Sequence, residues 1–591
     1  MLKNDPLKRV LYIDLSSKKF WIEERRDLFE KYIGGTGVAS ALLEEECPKE
    51  IDPQDPKNPI ILAVGPSTGL FPIVSKTVSM FLSPHNKLLG ESHAGGRSAV
   101  ALRLAGYGAV IIRGKSNIPV YLVIDSNGVK FRDARALWGL SVSETGRFIR
   151  EREKGSGLRS ILRIGRAGET GVTYSCVVTE TYRHFGRLGL GALFGYKKLK
   201  AIVIEGGKKA LPVTDRKLYK ETYDDILTRL RENPSLKKYY ELGTAVNIIP
   251  LNMLGALPTR NLKETRFEKA ENICGEYFAE NLLGRRLACA HCPMACIHIA
   301  ALRTPYEDEP YFYKTTFISY DYEPIYATGS MIGVGSAEGV LRLLDSIDNY
   351  GFDVMSTGVV LAWTTEAFEK GLINEEHTLG LEPKFGDVET YLKMLFHLAN
   401  QSNEFYTALA RGVDFTSQKY GGEDFALAFG GNEMSGYHTG YGIHITHLTG
   451  SRHSHLDSAG YSYDQKTKLK ELDIHKLVEK LFKEEAYRQV LSSAICCFFG
   501  RSVFDFETLA RMFSLSGFGY EAKDLEKLGQ DILIRKYHFK KARNFAPSKL
   551  RIPRRIFETI SPHGKLDEKV LKTAVKLYEE MIEKRGGGAC K

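Results

Sequence analysis

Long apolar runs are missing from this chain. No stretch of about 18 uncharged apolar residues occurs in its 591 residues, so nothing reads as a membrane-spanning helix. The start, Met-Leu-Lys-Asn-Asp-Pro-Leu-Lys-Arg, has no apolar centre of a secretory signal, and a cytoplasmic protein is expected. Cysteine is scarce: nine residues exclude a disulfide scaffold at this length. Cys47, Cys176, Cys274 and Cys590 are scattered, as expected of buried or idle thiols. Glutamine is rare while Lys, Arg and Glu are frequent, a composition that leans towards a thermophilic source. Strong charge of one sign is absent too. The net charge of +10 is spread along the chain, a mild excess that favours acidic partners. Two short basic runs, Lys540-Lys541-Ala-Arg543 and Arg551-Ile-Pro-Arg554-Arg555, lack interleaved aromatics, so no nucleic-acid groove is expected.

What is present is enough to build large cores. Apolar residues make up 43% of the chain, and its length predicts two to four domains. Short apolar runs recur at 10–13, 60–63, 78–82, 109–112, 120–124 and 201–204. Turns such as Gly34-Gly35-Thr-Gly37, Gly65-Pro-Ser-Thr-Gly69 and Gly95-Gly96 separate them, which reads as β-rich. Beyond Lys217 helical periodicity takes over, with amphipathic stretches at 218–230, 340–347, 359–368, 390–398 and 566–582. The expected fold class is α+β: a β-rich N-terminal domain (1–208) and two mainly helical domains (209–420 and 421–591). The closing Gly586-Gly-Gly588-Ala-Cys-Lys reads as a frayed tail.

The densest chemistry is the run Ala-Cys-Ala-His-Cys-Pro-Met-Ala-Cys, which holds Cys289, Cys292 and Cys296 in a C-x2-C-x3-C pattern. A zinc site would recruit His291 or His298. A cubane iron–sulfur cluster needs four thiolates and often takes the last from far away. The downstream candidates are the adjacent Cys496 and Cys497, in the apolar setting Ala494-Ile-Cys-Cys-Phe-Phe499. One of that pair is expected to be a ligand and the other a packed thiol.

The segment Ser346-Ile-Asp348-Asn-Tyr-Gly351-Phe-Asp353 holds D-x-x-G-F-D. With the cysteine triplet and a late cysteine, it resembles the tungsten- or molybdenum-pterin aldehyde:ferredoxin oxidoreductase family. The likeness includes Tyr32-Ile-Gly-Gly-Thr-Gly37, Ile164-Gly-Arg-Ala-Gly-Glu169 and Arg187-Leu-Gly-Leu-Gly-Ala-Leu-Phe-Gly195. The resemblance implies a saddle-shaped first domain, a tungsten (or molybdenum) bis-molybdopterin and a [4Fe–4S] cluster. It implies oxidation of an aldehyde to a carboxylic acid, with electrons passed to ferredoxin or an iron–sulfur partner subunit. A same-family redox reaction on another substrate, or in the reductive direction, is the alternative. From another class, a zinc- or cluster-stabilised interaction protein is the rival.

The carried-over residues make physical sense. Asp348 and Asp353 match the carboxylates that accept paired N–H donors from a pterin edge. Lys76, His93, Gly95, Gly96 and Arg187 match positions that hold the pterin phosphates. Glu323, in Asp321-Tyr322-Glu323-Pro324, matches the active-site Glu, a candidate general base. In Arg452-His453-Ser-His455, His453 matches the active-site histidine and His455 is its rival. Cys496 is the expected fourth cluster ligand beside Cys289, Cys292 and Cys296.

The sequence also departs from the pattern. In D-x-x-x-[LI]-C, ending on Cys496, the Asp is replaced by Leu491, which leaves the second pterin without its expected carboxylate. Where some members carry E-x-x-H at a dimer interface, this chain has Arg342 and Asp345. A homodimer is therefore expected to lack that metal.

Overall fold

The computed structural model describes all residues except 156, 181, 310 and 587–591, so the expected tail and Cys590 lie outside the described residues. The apolar runs form two six-stranded sheets. The first is built from β1 (Arg9–Asp14), β2 (Lys19–Glu24), β3 (Ile60–Ala63), β4 (Thr77–Leu82), β5 (Leu89–Ala94) and β6 (Ala109–Arg113), in the order β2-β1-β6-β3-β4-β5. The second contains β7 (Val120–Asp125), β8 (Gly128–Asp133), β9 (Arg159–Arg163), β10 (Val177–Val178), β11 (His184–Phe185) and β12 (Leu199–Glu205), in the order β11-β10-β9-β12-β7-β8. Both sheets are mixed: β1 runs parallel to β6, and β12 runs parallel to β7 but antiparallel to β9. The runs lack alternation because both faces of the inner strands are covered; every residue of β3 and β4 is buried.

Beyond residue 208 most of the chain is helical, but a third sheet interrupts it. It comprises β13 (Leu283–Leu287), β14 (Ile297–Pro305) and β15 (Tyr313–Tyr320). The β13–β14 connection carries the cysteine triplet. Positive φ at His291 (55°) and Ala295 (44°) curls it back on itself.

Two large cores hold the molecule together. One joins the N-terminal sheets to residues from the segment 490–539, including Val490, Leu491, Phe513 and Ile532. The other packs residues such as Tyr322, Val359, Trp363 and Tyr391 with the C-terminal Leu571 and Tyr578. The end of the helix Ile474–Ser493 thus seats on the first domain. Gly35 permits this close approach: its φ is +41°, and a Cβ there would lie 2.1 Å from the Ser492 carbonyl oxygen.

Candidate active site

The D-x-x-G-F-D motif is a helix junction. Asp348 lies in the last turn of the helix Ala337–Tyr350, and Gly351 (φ 79°, ψ 40°) ends that helix in the left-handed region. Asp353 then caps the helix Val354–Glu369, accepting from the Met355 and Ser356 N–H groups at 3.3 and 3.2 Å. Two short helical ends therefore present two carboxylates to one cavity of about 170 Å³, which Arg183, His184, Arg187 and Glu323 also line.

Glu323, Arg187 and His184 also line an adjoining cavity of about 520 Å³. Its lining also carries Lys76, His93, Arg452, His455, Arg488 and Phe498. A larger cavity, of about 690 Å³, lies elsewhere, around Lys314, Arg342 and Asp345, and holds none of the candidate chemistry. There Arg342 donates to Glu389 across helices, a polar surface pairing in place of E-x-x-H.

Glu323 rides on the first turn of the helix Tyr322–Thr328, which Asp321 caps. Its Oε2 accepts the Gly436 N–H at 3.0 Å, while its buried Oε1 has no hydrogen-bond partner. Burial raises its pKa to about 8; the Gly436 N–H and Arg187 oppose the shift. This carboxyl therefore exchanges its proton near neutrality, as a general base must.

His455 Nε2 lies 3.4 Å from Glu323 Oε1. Burial holds the His455 pKa well below the usual histidine range, so the ring stays neutral and orients rather than carries charge. The expected role of His453 needs correction. His453 is not part of the cavity lining. Its Nδ1 bonds the His447 carbonyl at 2.8 Å, and its Nε2 bonds Lys540 at 2.8 Å. A positive φ of 53° turns its ring into the core and leaves the cavity face to His455.

The fourth thiol is corrected in the same way. Cys496 is 1% exposed, packed in the N-terminal core and bridged to Val74. Cys497 faces the triplet: burial raises the pKa of Cys292, and the Cys497 thiol is the next contributor, ahead of Cys289. Cys296 is pushed up to about 12 by burial, opposed by Arg183 and reinforced by Cys497. Ile495 has φ 58°, and two residues on the Cys497 N–H bonds the Ile73 carbonyl at 3.0 Å. Counting back five residues from Cys497 puts Ser492, rather than Leu491, at the expected Asp position. Leu491 itself is fully buried in the core.

The remaining predicted residues divide into two groups. Lys76 and His93 line the larger cavity, with the Lys76 ammonium 5.7 Å from the Phe498 ring centre. His93 bonds Glu91 at 2.7 Å, and burial lowers its pKa to about 4. Arg187 donates to Asp353 at 3.2 Å and to the Glu433 carbonyl at 2.7 Å, and its buried Nη1 is unpartnered. Asp348 sits 3.0 Å from His184 Nε2, off hydrogen-bond alignment. Gly95 and Gly96 instead back the cysteine loop. A Cβ on Gly95 would lie 2.8 Å from Cys289 Sγ, and the Gly96 carbonyl accepts the Ala290 N–H at 2.8 Å.

Residues that the motifs missed include Arg183, His184, Glu91, Arg452 and Arg488. The only sequence signal was density of charge, as in Tyr182-Arg-His-Phe-Gly-Arg187.

The site fits a large anionic cofactor with a neighbouring cluster. Buried polar atoms of Glu323, His184, Arg187 and His455 have no partner in the protein and line one connected space. Among the described residues, no three His, Cys, Asp or Glu side chains converge closely enough to close on a single ion.

The fold and this site define a family of oxidoreductases. The chain matches the aldehyde ferredoxin oxidoreductase N-terminal domain over residues 10–206 and domains 2 and 3 over residues 221–584. It therefore belongs to the aldehyde ferredoxin oxidoreductase family. It is 30% identical over 582 residues to the tungsten-containing aldehyde ferredoxin oxidoreductase of Thermococcus kodakarensis, covering 94% of this chain and 92% of the relative. The Pyrococcus furiosus protein of the same description is 29% identical over the same shares. The WOR-like subunit of an aliphatic sulfonate oxidoreductase from Pyrococcus furiosus is 27% identical over 77% of this chain and 72% of its own. Among solved structures, the active-site complex BamBC of benzoyl coenzyme A reductase with 1,5-dienoyl-CoA shares the fold. Its TM-score is 0.78 at 20% identity, covering 98% of both chains. No helix among the described residues is long and apolar enough to cross a membrane.

Proposed function

We propose that this chain oxidises an aldehyde to a carboxylic acid at a tungsten (or molybdenum) bis-molybdopterin and passes the electrons through a [4Fe–4S] cluster to ferredoxin or an iron–sulfur partner subunit. The observation that carries the reading is Glu323: a buried carboxyl with a free oxygen, lining the cavity that Asp348 and Asp353 also line. The reaction RCHO + H₂O → RCOO⁻ + 3H⁺ + 2e⁻ needs a base for water, and Glu323 meets that need when deprotonated. When bound, the metal centre supplies a Lewis acid and a two-electron sink.

The protein's own residues do the rest. Asp348 and Asp353 would hold the first pterin, accepting from its edge in the cavity they both line. Lys76, His93 and Arg187 would hold the phosphates, although Lys76 and a neutral His93 lack a bidentate fork. His455 orients Glu323 without taking up charge. Cys289, Cys292, Cys296 and Cys497 would hold the cluster, and the loop between the first two thiols exposes His291. Metal, iron and pterin analysis of anaerobically purified protein, followed by an aldehyde panel with a viologen acceptor, tests this. Zinc alone with no pterin would refute it.

A second reading, a same-family reaction in the reductive direction or on a non-aldehyde, draws on the missing carboxylate: counting back from Cys497 puts Ser492, and from Cys496 Leu491, where an Asp is expected. Two relatives bear names of such chemistry, a reductase and a sulfonate oxidoreductase. Viologen-dependent reduction without aldehyde oxidation would select it.

A further inference from the structure

We propose that Arg183 sets the reduction potential of the cluster and ties it mechanically to the helix that carries Glu323. This rests on the cofactor reading above. The guanidinium spans two sites. Nη2 donates to Cys296 Sγ at 3.6 Å, and Nη1 donates to Asp321 Oδ2 at 3.2 Å. The other oxygen of Asp321 accepts the Tyr322 N–H at 2.9 Å and so caps the catalytic helix. Glu323 is the second residue of that helix. A single planar cation therefore bridges a cluster ligand and the helix start from which the base projects.

Arg183 also lines the smaller cavity beside Asp348 and Asp353. Its side chain is 23% exposed, so water screens it only in part. Arg183 Cγ lies 3.9 Å from where a Gly95 Cβ would stand, and Cys289 Sγ lies 2.8 Å from the same point, so stem and cluster loop pack over one glycine. A guanidinium cannot give up its proton in a protein. A fixed positive charge and an N–H···S bond both favour the state of the cluster that carries one more electron. Arg183 is a positioning residue: it makes electron acceptance from the two-electron oxidation easier and touches no substrate. Asp321 tempers that pull by sharing the fork and partly neutralising it.

The test is an EPR-monitored redox titration of the anaerobic holoenzyme with Arg183→Gln, Arg183→Lys and Asp321→Asn. Arg183→Gln is expected to disfavour the reduced cluster about tenfold, a shift of roughly 59 mV to more negative potential for one electron. Arg183→Lys keeps the charge but loses the fork and is expected to fall between Gln and wild type. Asp321→Asn is expected to shift the potential the opposite way. An Arg183→Gln protein with full iron and an unmoved midpoint overturns the proposal. If that variant loses its cluster, an unmoved midpoint in both Arg183→Lys and Asp321→Asn overturns it instead. Wild-type protein without iron would remove the cofactor reading itself, a failure that iron analysis distinguishes from the others.

Discussion

The two ends of the catalytic space are built from opposite chemistries. At one end, Asp348 and Asp353 come from a helix junction, with Arg187 and His184 as their partners. At the other, Arg452 and Arg488 are held by Asp457 and Glu484, and Lys76 lies over Phe498. The first end recognises donors in a fixed geometry; the second neutralises negative charge with little directional demand. A repeated ligand such as a pair of pterins can thus be gripped unequally.

The largest effect that sharpens this contrast lies behind the cationic end. Cys497→Ser should abolish the absorbance near 400 nm and the bound iron, whereas Cys496→Ser should keep both; the reverse result would return the fourth ligand to Cys496. Next comes Glu323, at the junction of the two ends. Glu323→Gln should cut kcat by about 10²–10⁴-fold with metal and pterin retained. In the unaltered enzyme, activity should rise with pH as the carboxyl loses its proton near about 8 and then level off. A flat profile between roughly pH 6 and roughly pH 9 would remove Glu323 as the base.

A smaller effect separates the ends directly. Asp348→Asn should loosen pterin by about 10–100-fold with little salt dependence, as expected for a lost charge-assisted pair. Arg488→Gln should loosen it less, and increasingly so at low salt. Identical salt responses would break the comparison. Smallest of all, His455→Gln should lower kcat by about tenfold. His453→Gln should lower thermal stability while leaving turnover near wild type.

Much of this was legible in the residues, and what was missed has a common physical cause. The inner strands announced themselves as short apolar runs without alternation because both of their faces are buried. The helix junction at Gly351 was readable because a glycine ends a helix in a recognisable way. The third sheet was not, since β13 reads Leu-Gly-Arg-Arg-Leu and is largely exposed, without an apolar alternation. The choices between Cys496 and Cys497, and between His453 and His455, turned on positive φ at Ile495 and His453. Neither residue is a glycine, so its type carried no hint of that conformation. Arg183 was missed for another reason: nothing marks one arginine among many until its neighbours are known.

The cysteine loop is stitched to two remote stretches of chain. Ile73 donates to the His291 carbonyl, Ala290 to Gly96 and Cys497 to Ile73, at 3.0, 2.8 and 3.0 Å. A newly made polypeptide therefore offers no complete set of thiols until its last third has emerged and docked on its first. Delivery of iron and sulfide to all four proposed thiols must therefore wait until residue 497 has been made and has docked on the first domain.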